Sequence, residues 1–497
     1  MQNRQARERT LIWLLCLLAA ARVFVYSAAF PLFNNVDEPM HFDLVVKYSE
    51  HGIPRGIEPL SEESLNYIVL YSTSEYWVNP TNFPNGRFPP PPWTQPIEQI
   101  RQTLAAQEKV GVSLLNYEDA EPPLYYSPMG LWWRLGQWFG IHDGFLPYWL
   151  RFSNLLFVPA LIWIAFVAAK TIFPENIFLR MGVPSLLAFI PQTVFYSISN
   201  DILTPLCFGW AFICLFNFWN SEVPSFKVGV LTGLSLAATF LAKMTNLPLL
   251  VISSLFLLWK IWQLTKERKL KPAFPSLAAL VICAGLPVSA WMAWCKCIYG
   301  SLTGSPAKAH AFGWTVKPFT EWWHHPIFTP VGFWTYLTGQ LSTFWQGEFK
   351  WHDQLMALPG SDVIYTIFSL AMLIVAFFFL LPRSHGATTQ QRHALLLGLV
   401  CFIAALGFFA LSSIIYDFHD SYNPSREHPY FHAGRMMLGT LIPFLLLMVY
   451  ALDRMLDRFG VTAKFISLAA IISVMFVAEV ATNWPVFSNE YNWFHLR

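Results

Sequence analysis

The chain of 497 residues is rich in apolar side chains: 55% of the residues are hydrophobic, 12% are charged, and the mean hydropathy is +0.41. Soluble proteins carry about 25% charged residues, so this chain cannot cover the surface of several soluble domains, and a polytopic membrane protein is predicted. The formal net charge of +2 excludes nucleic acid as the leading partner.

Apolar runs of about 20 residues can each cross a bilayer as a helix, because hydrocarbon offers no partner to backbone groups that the segment leaves open. The predicted spans are 11–33, 148–172, 181–199, 201–220, 227–243, 246–264, 273–297, 361–382, 393–416, 434–453 and 463–482. The first run is too long for the apolar core of a signal peptide, so we expect it to be retained. The predicted fold is all-α, with about 11 transmembrane helices.

Lysine and arginine in the short loops predict the orientation of the chain. Three arginines precede the first run, the loop at 264–272 is basic, and further basic residues fall on the same side. The N-terminus is therefore expected in the cytoplasm, and two long loops and the C-terminal tail outside it. The predicted segments are 1–33, 34–146 (outside, with short surface helices), 147–297, 298–360 (outside), 361–482 and 483–497 (outside).

An acidic pair, Asp37 and Glu38, follows the first run directly. Pro39 suits the first turn of a short surface helix that is predicted at about 39–50. Three roles are open for the pair. The acids could cap the helix, form a metal site with His41 on one helix face, or deprotonate a hydroxyl that attacks a sugar.

Five further motifs follow in chain order. They are Glu121-Pro-Pro-Leu-Tyr-Tyr126, Ser199-Asn200-Asp201, Leu241-Ala-Lys243-Met-Thr245, Thr343-Phe-Trp-Gln-Gly-Glu-Phe-Lys-Trp351 and His432-Ala-Gly-Arg435. Together with the acidic pair, this set resembles the GT-C superfamily of membrane glycosyltransferases. It is most similar to a bacterial branch related to protein O-mannosyltransferases and to the aminoarabinose transferase of lipid A. The likeness extends over residues 30–450.

The resemblance implies transfer of a sugar from a polyprenyl-phosphate donor to an extracytoplasmic glycan, lipid or protein, in a bacterial inner membrane. It also implies that the catalytic base lies at the start of the first outer loop, where Asp37 is our first choice and Glu38 the reserve. Attack from the face opposite the departing phosphate would invert the sugar without a covalent intermediate.

Cationic side chains are expected where the lipid phosphate departs, because that leaving group carries its own negative charge. Topology brings four of them to the outer ends of the predicted spans: Arg151, Lys243, Arg426 and Arg435. Each of these also suits a snorkelling role at the membrane interface. The motifs add five candidates for substrate contacts: His41, Tyr125, Tyr126, Asp201 and His432.

Two features outside the motifs carry further expectations. Arg22 lies near the middle of the first run, where a charge needs an acidic partner or an aqueous cavity. A His-rich part of the second outer loop admits a divalent metal, although no ligand spacing fixes one. Its candidate ligands are His324, His325, His352 and Asp353.

Two other functions remain open beside the glycosyltransferase. A transporter or flippase for a lipid-linked or sugar substrate would show repeated halves and paired interrupted helices at mid-bilayer, whereas the polar residues here gather on one face. A non-catalytic, lipid-binding scaffold would tolerate the neutralisation of single charges. Neither the sugar nor the acceptor follows from the motifs, because recognition depends on the geometry of the long loops.

Overall fold

The computed structural model describes residues 2–73, 89–111, 114–351, 354–381, 387–419 and 423–496. Most of these residues are helical. In chain order the α-helices are α1 (Gln2–Ala29), α2 (Glu38–Glu50), α3 (Glu62–Tyr71), α4 (Ile97–Gly111), α5 (Pro123–Trp138), α6 (Phe145–Arg151), α7 (Asn154–Ile172), α8 (Ile177–Ala188), α9 (Leu203–Asn220), α10 (Phe226–Ala242), α11 (Leu247–Lys266), α12 (Leu270–Tyr299), α13 (Ser305–Ala311), α14 (Phe319–Trp322), α15 (Pro330–Gln346), α16 (Ser361–Leu380), α17 (Thr389–Ile415), α18 (Leu441–Met455) and α19 (Gly460–Phe487).

Within this described part, nine helical segments are long and apolar enough to cross a membrane. They contain α1, α6 with α7, α9, α11, α12, α16, α17, α18 and α19. The shorter apolar helices α8 and α10 occupy the two remaining predicted spans. The all-α membrane class is therefore confirmed, and all eleven predicted positions contain apolar helix.

One predicted span ends early. We expected helix at 181–199, but α8 ends at Ala188 and Pro191 follows soon after, where a helix cannot continue its hydrogen bonding. The chain then forms short turns whose carbonyl groups accept hydrogen bonds from Asn154, including one of 2.8 Å to Ser197. Non-helical backbone at this depth is tolerated because the protein itself covers it.

The burial of the helices divides them into an inner and an outer set. In α18 and the turn before it, 94% of the most apolar stretch is buried, whereas the corresponding values for α12 and α19 are 22% and 17%. A helix that is apolar on all sides suits the centre of a bundle, and one with an exposed apolar face suits lipid. We therefore place α18 at the core and α12 and α19 at the lipid boundary.

The acidic partner of Arg22 is Glu479. The Nη2 of Arg22 contacts Oε1 of Glu479 on α19 at 2.5 Å, and the guanidinium donates to the carbonyls of Ala188 and Ile190 at 2.9 Å. The hydroxyl of Tyr196 also donates to Glu479 at 2.5 Å. This buried ion pair ties α1 to α19 and to the end of α8, as expected for a paired charge inside a membrane protein.

The two long loops meet at one end of the bundle, which we call the loop end. There the backbone of Asn35 bridges that of Phe349, and the N–H of Lys350 donates to the carbonyl of Asn34 at 3.1 Å. Among the described residues, four two-residue strands form two antiparallel pairs, in the second long loop and in the segment after α17. They are β1 (Thr315–Val316) with β4 (Tyr416–Asp417), and β2 (Lys350–Trp351) with β3 (Gln354–Leu355).

The predicted surface helix at 39–50 exists as α2, but it does not lie on a surface. Ten of its 13 residues are buried. Glycine explains part of this burial, because a Cβ at Gly130 of α5 would lie 3.0 Å from the backbone of Ser49 in α2. The two helices therefore approach closely, and α2 forms part of the interior of the loop end.

Candidate active site

Asp37 lies in the turn between α1 and α2, with a backbone φ of 66°. This left-handed conformation is uncommon for a residue with a side chain, and aspartate is among the few that tolerate it. The carboxylate makes no capping hydrogen bond to α2, so the capping role is wrong for Asp37. Instead it accepts a hydrogen bond from the hydroxyl of Tyr117 and pairs with Arg435.

Arg435 binds three carboxylates at once. Its Nε contacts Glu348 and its Nη1 contacts Asp201, both at 2.6 Å, while Nη2 pairs with Asp37. The planar guanidinium has enough N–H donors for all three. Lys243, directly after α10, adds a 2.6 Å contact to Asp201. Acids and bases from five distant motifs are thus brought together in the loop end.

The cations determine the protonation of Asp37. Burial alone would raise the pKa of this carboxyl group, but Arg435, together with the hydrogen bond from Tyr117, outweighs burial and holds its pKa below the ordinary value. Glu348 behaves differently, because burial raises its pKa despite the contact with Arg435. Asp37 is therefore ionised at neutral pH.

His41 and Glu118 lie beside Asp37, with one potential ligand atom of each residue within 4.8 Å of the others. The Nδ1 of His41 is hydrogen-bonded to the hydroxyl of Tyr126 at 2.8 Å, and Tyr125 packs edge-to-face against Tyr126. Burial lowers the pKa of His41 to about 4, so the imidazole is neutral. Within the described residues its Nε2 makes no hydrogen bond, so this nitrogen can bind a ligand.

A divalent metal fits these three residues. Within the described residues, Nε2 of His41 and Oε2 of Glu118 are buried without a hydrogen-bond partner. Buried polar atoms are rarely left unsatisfied, and a neutral imidazole with two carboxylates is a common ligand set for such ions. The expected metal site with Asp37 and His41 is therefore compatible with the structure, with Glu118 in place of Glu38.

A second pair of acids extends the site. Burial and then the neighbouring Glu118 raise the pKa of Glu121 to about 7. The Nδ2 of Asn200 donates to Glu121 at 3.4 Å, and Lys308 of α13 lies 3.6 Å from Glu118. We call the whole set the acidic cluster, and its members are Asp37, Glu118, Glu121, Asp201, Glu348, Lys243, Lys308 and Arg435.

Glu38 and Arg151 lie together, in a different environment. Arg151 contacts both carboxylate oxygens of Glu38 at 2.8 Å. The backbone N–H groups of Phe33 and Ile198 donate to the same carboxylate at 3.0 and 2.9 Å. Arg151 also donates to carbonyls at the end of α1. Neither residue is brought into the acidic cluster, and we call this pair with its backbone contacts the Glu38–Arg151 junction.

The remaining predicted residues lie apart from the cluster. The side chain of Arg426 is 63% exposed and pairs with Asp417 and Glu321. His432 stacks on Tyr430, with ring centroids 5.5 Å apart. No contact between these residues and the acidic cluster occurs in the described ranges.

The His-rich loop does not form a metal site with its described residues. His324 is hydrogen-bonded to the carbonyl of Thr320, and His325 to that of Pro429. His352 and Asp353 lie outside the described residues, so the prediction stays untested for them. Among the described residues, the three-residue group that could bind a metal is Asp37, His41 and Glu118.

Sequence reasoning missed five members or neighbours of the cluster, and Glu121, the first residue of its motif, is one of them. Glu348 stands inside the fourth motif, and Tyr117 and Glu118 precede the motif that begins at Glu121, so proximity to motifs was a usable signal. Lys308 stands in the second long loop, outside every motif. Its position became evident only from the packing of that loop on the first.

Comparisons with known proteins give one family and a few distant structures. A family model described as a predicted membrane protein, DUF2142, matches residues 18–416. Among curated proteins no sequence match was found. An oligosaccharyltransferase from Archaeoglobus fulgidus, solved with Zn and sulfate, is 13% identical over 94% of this chain, with a TM-score of 0.43.

Two further structures show a similar degree of likeness. The oligosaccharyltransferase AglB from Archaeoglobus fulgidus, in complex with an inhibitory peptide and a dolichol-phosphate, is 12% identical over 97% of this chain, with a TM-score of 0.41. ArnT from Cupriavidus metallidurans, bound to undecaprenyl phosphate, is 12% identical over 89%, with a TM-score of 0.32. The chain spans 52%, 56% and 77% of the three structures.

Proposed function

The chain belongs to the DUF2142 family of predicted membrane proteins, and from that premise we propose that it is an integral membrane glycosyltransferase. It moves a sugar from a polyprenyl-phosphate-linked donor to an acceptor at the loop end of the bundle. The proposal places the loop end on the extracytoplasmic side of a bacterial inner membrane, because the basic short loops lie at the opposite end.

The observation that carries the proposal is the unbalanced charge of the acidic cluster. Five carboxylates face three cations there, and three buried polar atoms, on His41, Glu118 and Asn200, have no partner in the described part of the chain. A purely structural cluster gains nothing from excess charge, because every unpaired buried carboxylate costs free energy. Excess charge and unsatisfied atoms in one place are typical of a site that binds and transforms a ligand.

Asp37 is proposed as the base. An acceptor hydroxyl gives its proton to this carboxylate while its oxygen forms a bond with the anomeric carbon. The bond from that carbon to the phosphate oxygen breaks, and the lipid phosphate leaves with the electron pair. Arg435 keeps Asp37 ionised, so the base is in its active form at neutral pH, although the lowered pKa makes it a weak one. The proton therefore moves only as bond formation makes the hydroxyl acidic, and the sugar is inverted.

Lys243 and Arg435 are proposed to face the departing phosphate. Lys243 uses one N–H group on Asp201 and keeps two donors for a ligand, whereas Arg435 is largely committed to its three acids. A divalent metal, held by Asp37, His41 and Glu118, would withdraw electrons from the phosphate or sugar oxygens. Arg151 and Glu38 are assigned a structural role, and Arg426 a surface one.

Sugar transfer by the purified protein in lipid nanodiscs tests the proposal, with a panel of polyprenyl-phosphate sugars as donors. Asp37→Asn keeps the size of the side chain and removes the base, so transfer should fall by about 100-fold or more. The matched control is Glu62→Gln, an exposed acid at the start of α3 in the same loop. Parental activity in folded Asp37→Asn, or no transfer from any donor by the parent, would contradict the proposal.

A further inference from the structure

Lys308 is the member of the acidic cluster whose ammonium group is held by aromatic rings. Its Nζ lies 5.2 Å from the ring centroid of Tyr117 and 5.6 Å from that of Trp314. It lies 3.6 Å from a carboxylate oxygen of Glu118. Ring faces attract a cation and restrict its long, flexible side chain. The ammonium is therefore held at the edge of the acidic cluster.

The aromatic rings are themselves fixed by packing. Trp314 stacks on Phe418, with ring centroids 4.2 Å apart, and Phe312 contacts both Trp314 and Tyr117. The β1–β4 pair joins the backbone directly after Trp314 to the backbone directly before Phe418. Phe312 thus joins the segment of Lys308, in the second long loop, to Tyr117 in the first, while Trp314 and the β1–β4 pair join it to the segment after α17.

Lys308 is less tightly paired with carboxylates than the other two cations of the cluster. The side chains of Lys243 and Arg435 contact carboxylates at 2.6 Å and are 3% and 2% exposed. Among the described residues, the carboxylate nearest to Lys308 lies 3.6 Å away, and the Lys308 side chain is 18% exposed. It can therefore turn to an incoming anion without breaking a short, buried ion pair.

The charges of both lysines of the cluster act on the same acid. Lys308, on α13, and Lys243, directly after α10, each lower the pKa of Glu121 against the rise that burial causes. An anion that binds at Lys308 would therefore also be attracted by the charge of Lys243. Because carboxylates outnumber cations in the cluster, such an anion depends strongly on each ammonium group.

We propose that Lys308 binds the phosphate of the polyprenyl-phosphate donor, and also the lipid phosphate that remains after transfer. This inference rests on the proposed function. The donor phosphate is a diester with one negative charge, whereas the released lipid phosphate is a monoester with a charge between −1 and −2 near neutral pH. Lys308 therefore contributes more to holding the product than to holding the donor.

Binding of undecaprenyl phosphate to the purified protein tests the assignment, with uncharged undecaprenol as the reference lipid. Lys308→Met should raise the Kd for undecaprenyl phosphate by about tenfold or more, while Lys308→Arg, which keeps the charge, should change it by less than about threefold. Neither variant should change the binding of undecaprenol. Lys296→Met is the matched control, because in the described part of the chain the Lys296 ammonium donates to the carbonyl of Gly300 near the end of α12 and to no carboxylate.

Equal losses for both lipids in Lys308→Met would show a structural role, and an unchanged Kd would show no role; either result overturns the proposal. If Lys308→Met does not fold, amine acylation of the parent protein tests the assignment of Lys308. Undecaprenyl phosphate should protect Lys308 from amine acylation, undecaprenol should not, and Lys296 should be acylated in both cases. Equal acylation of Lys308 with either lipid overturns the proposal as well.

The two proposals can fail separately. If Asp37→Asn transfers sugar at the parental rate while Lys308→Met loses undecaprenyl phosphate, the proposed transfer is wrong and Lys308 still binds a lipid phosphate. If Asp37→Asn abolishes transfer while Lys308→Met binds that lipid normally, the transfer stands and the assignment of Lys308 is wrong.

Discussion

Asp37 and Glu38 are neighbours in the chain, yet they lie in two regions of opposite character. Glu38 is fully buried in the Glu38–Arg151 junction, where a guanidinium and two backbone N–H groups satisfy its carboxylate. Asp37 adopts a left-handed backbone and faces the acidic cluster, in which carboxylates outnumber cations. A buried carboxylate whose charge is balanced by a guanidinium can hold the fold together. A buried cluster with excess negative charge costs stability, and the binding of a ligand would explain why the chain keeps it.

The largest expected effect follows from breaking the Glu38–Arg151 junction. Arg151→Met leaves the carboxylate of Glu38 buried with only backbone partners, so the free energy of unfolding should fall by about 3–5 kcal/mol. Denaturant unfolding of the detergent-solubilised protein measures this loss. The double variant Glu38→Gln with Arg151→Met should recover part of it, because no uncompensated charge remains.

The reference for that experiment is Arg426→Met, which removes an exposed arginine with two acidic partners. If Arg151→Met were as stable as Arg426→Met, the junction would not hold the fold together. The structural role that we assign to Glu38, in contrast to the role of Asp37 as the base, would then be wrong.

In the acidic cluster, removal of a charge should raise the free energy of unfolding rather than lower it. Glu121→Gln removes a buried carboxylate from a site that has too many, so it should stabilise the protein at pH 8 by about 1–3 kcal/mol. The same change should weaken transfer if Glu121 contacts the substrate. Unfolding of the parent and of Glu121→Gln, measured at several pH values, gives the size and the sign of the effect.

The pH dependence of this gain follows from linkage. Burial raises the pKa of Glu121 in the folded protein to about 7, above the value in the unfolded chain. The folded state therefore binds the extra proton, and the cost of Glu121 is fully present above pH 7 and absent below about pH 4.5. The gain from Glu121→Gln should shrink as the pH falls from 8 and should vanish below about pH 4.5. A loss of stability at pH 8 would show that the cluster is not overcharged.

Tyr117 should affect activity more than stability. Its hydroxyl donates to Asp37, so Tyr117→Phe removes one contact that keeps the base ionised and oriented. A hydrogen bond to a charged group predicts a fall in kcat/KM of about tenfold. Tyr48→Phe is the control, because among the described residues its buried hydroxyl has no partner. Equal effects of the two changes would contradict a specific role for Tyr117.

The smallest effect is expected for Arg426. Its guanidinium is exposed and pairs with the exposed Glu321 and with the buried Asp417, and an exposed cation at such a pair contributes little. Arg426→Met should change the KM for the donor by less than about twofold, as measured in the nanodisc transfer assay. A tenfold rise would place Arg426 at the donor site and would extend that site well beyond the acidic cluster.

The spans were predictable because the bilayer imposes one strong requirement, a continuous apolar helix of sufficient length. Residues 361–382 were predicted as a span, and α16 occupies Ser361–Leu380. The helix α8 departed from its prediction where Pro191 ends it, and α2 was buried where a surface helix was expected. Both departures depend on packing between distant segments, which hydropathy alone does not report.

The site was only partly predictable, for the same reason. Sequence reasoning selected Asp37, Asp201, Lys243 and Arg435, and the structure brings these four together. It could not separate Asp37 from Glu38, because the difference arises from a backbone φ and from partners more than a hundred residues away. Nor could it find Lys308, whose position depends on how the two long loops pack against each other.

A structure of the protein in lipid nanodiscs with undecaprenyl phosphate bound would test the central claim most directly. The account predicts that the phosphate lies within hydrogen-bond distance of Lys243 or Lys308, on the side of the acidic cluster that Asp37 faces. A phosphate bound by Arg151 after its release from Glu38 would contradict the account. So would a phosphate in the groove lined by Arg454 and Arg458 at the opposite end of the bundle.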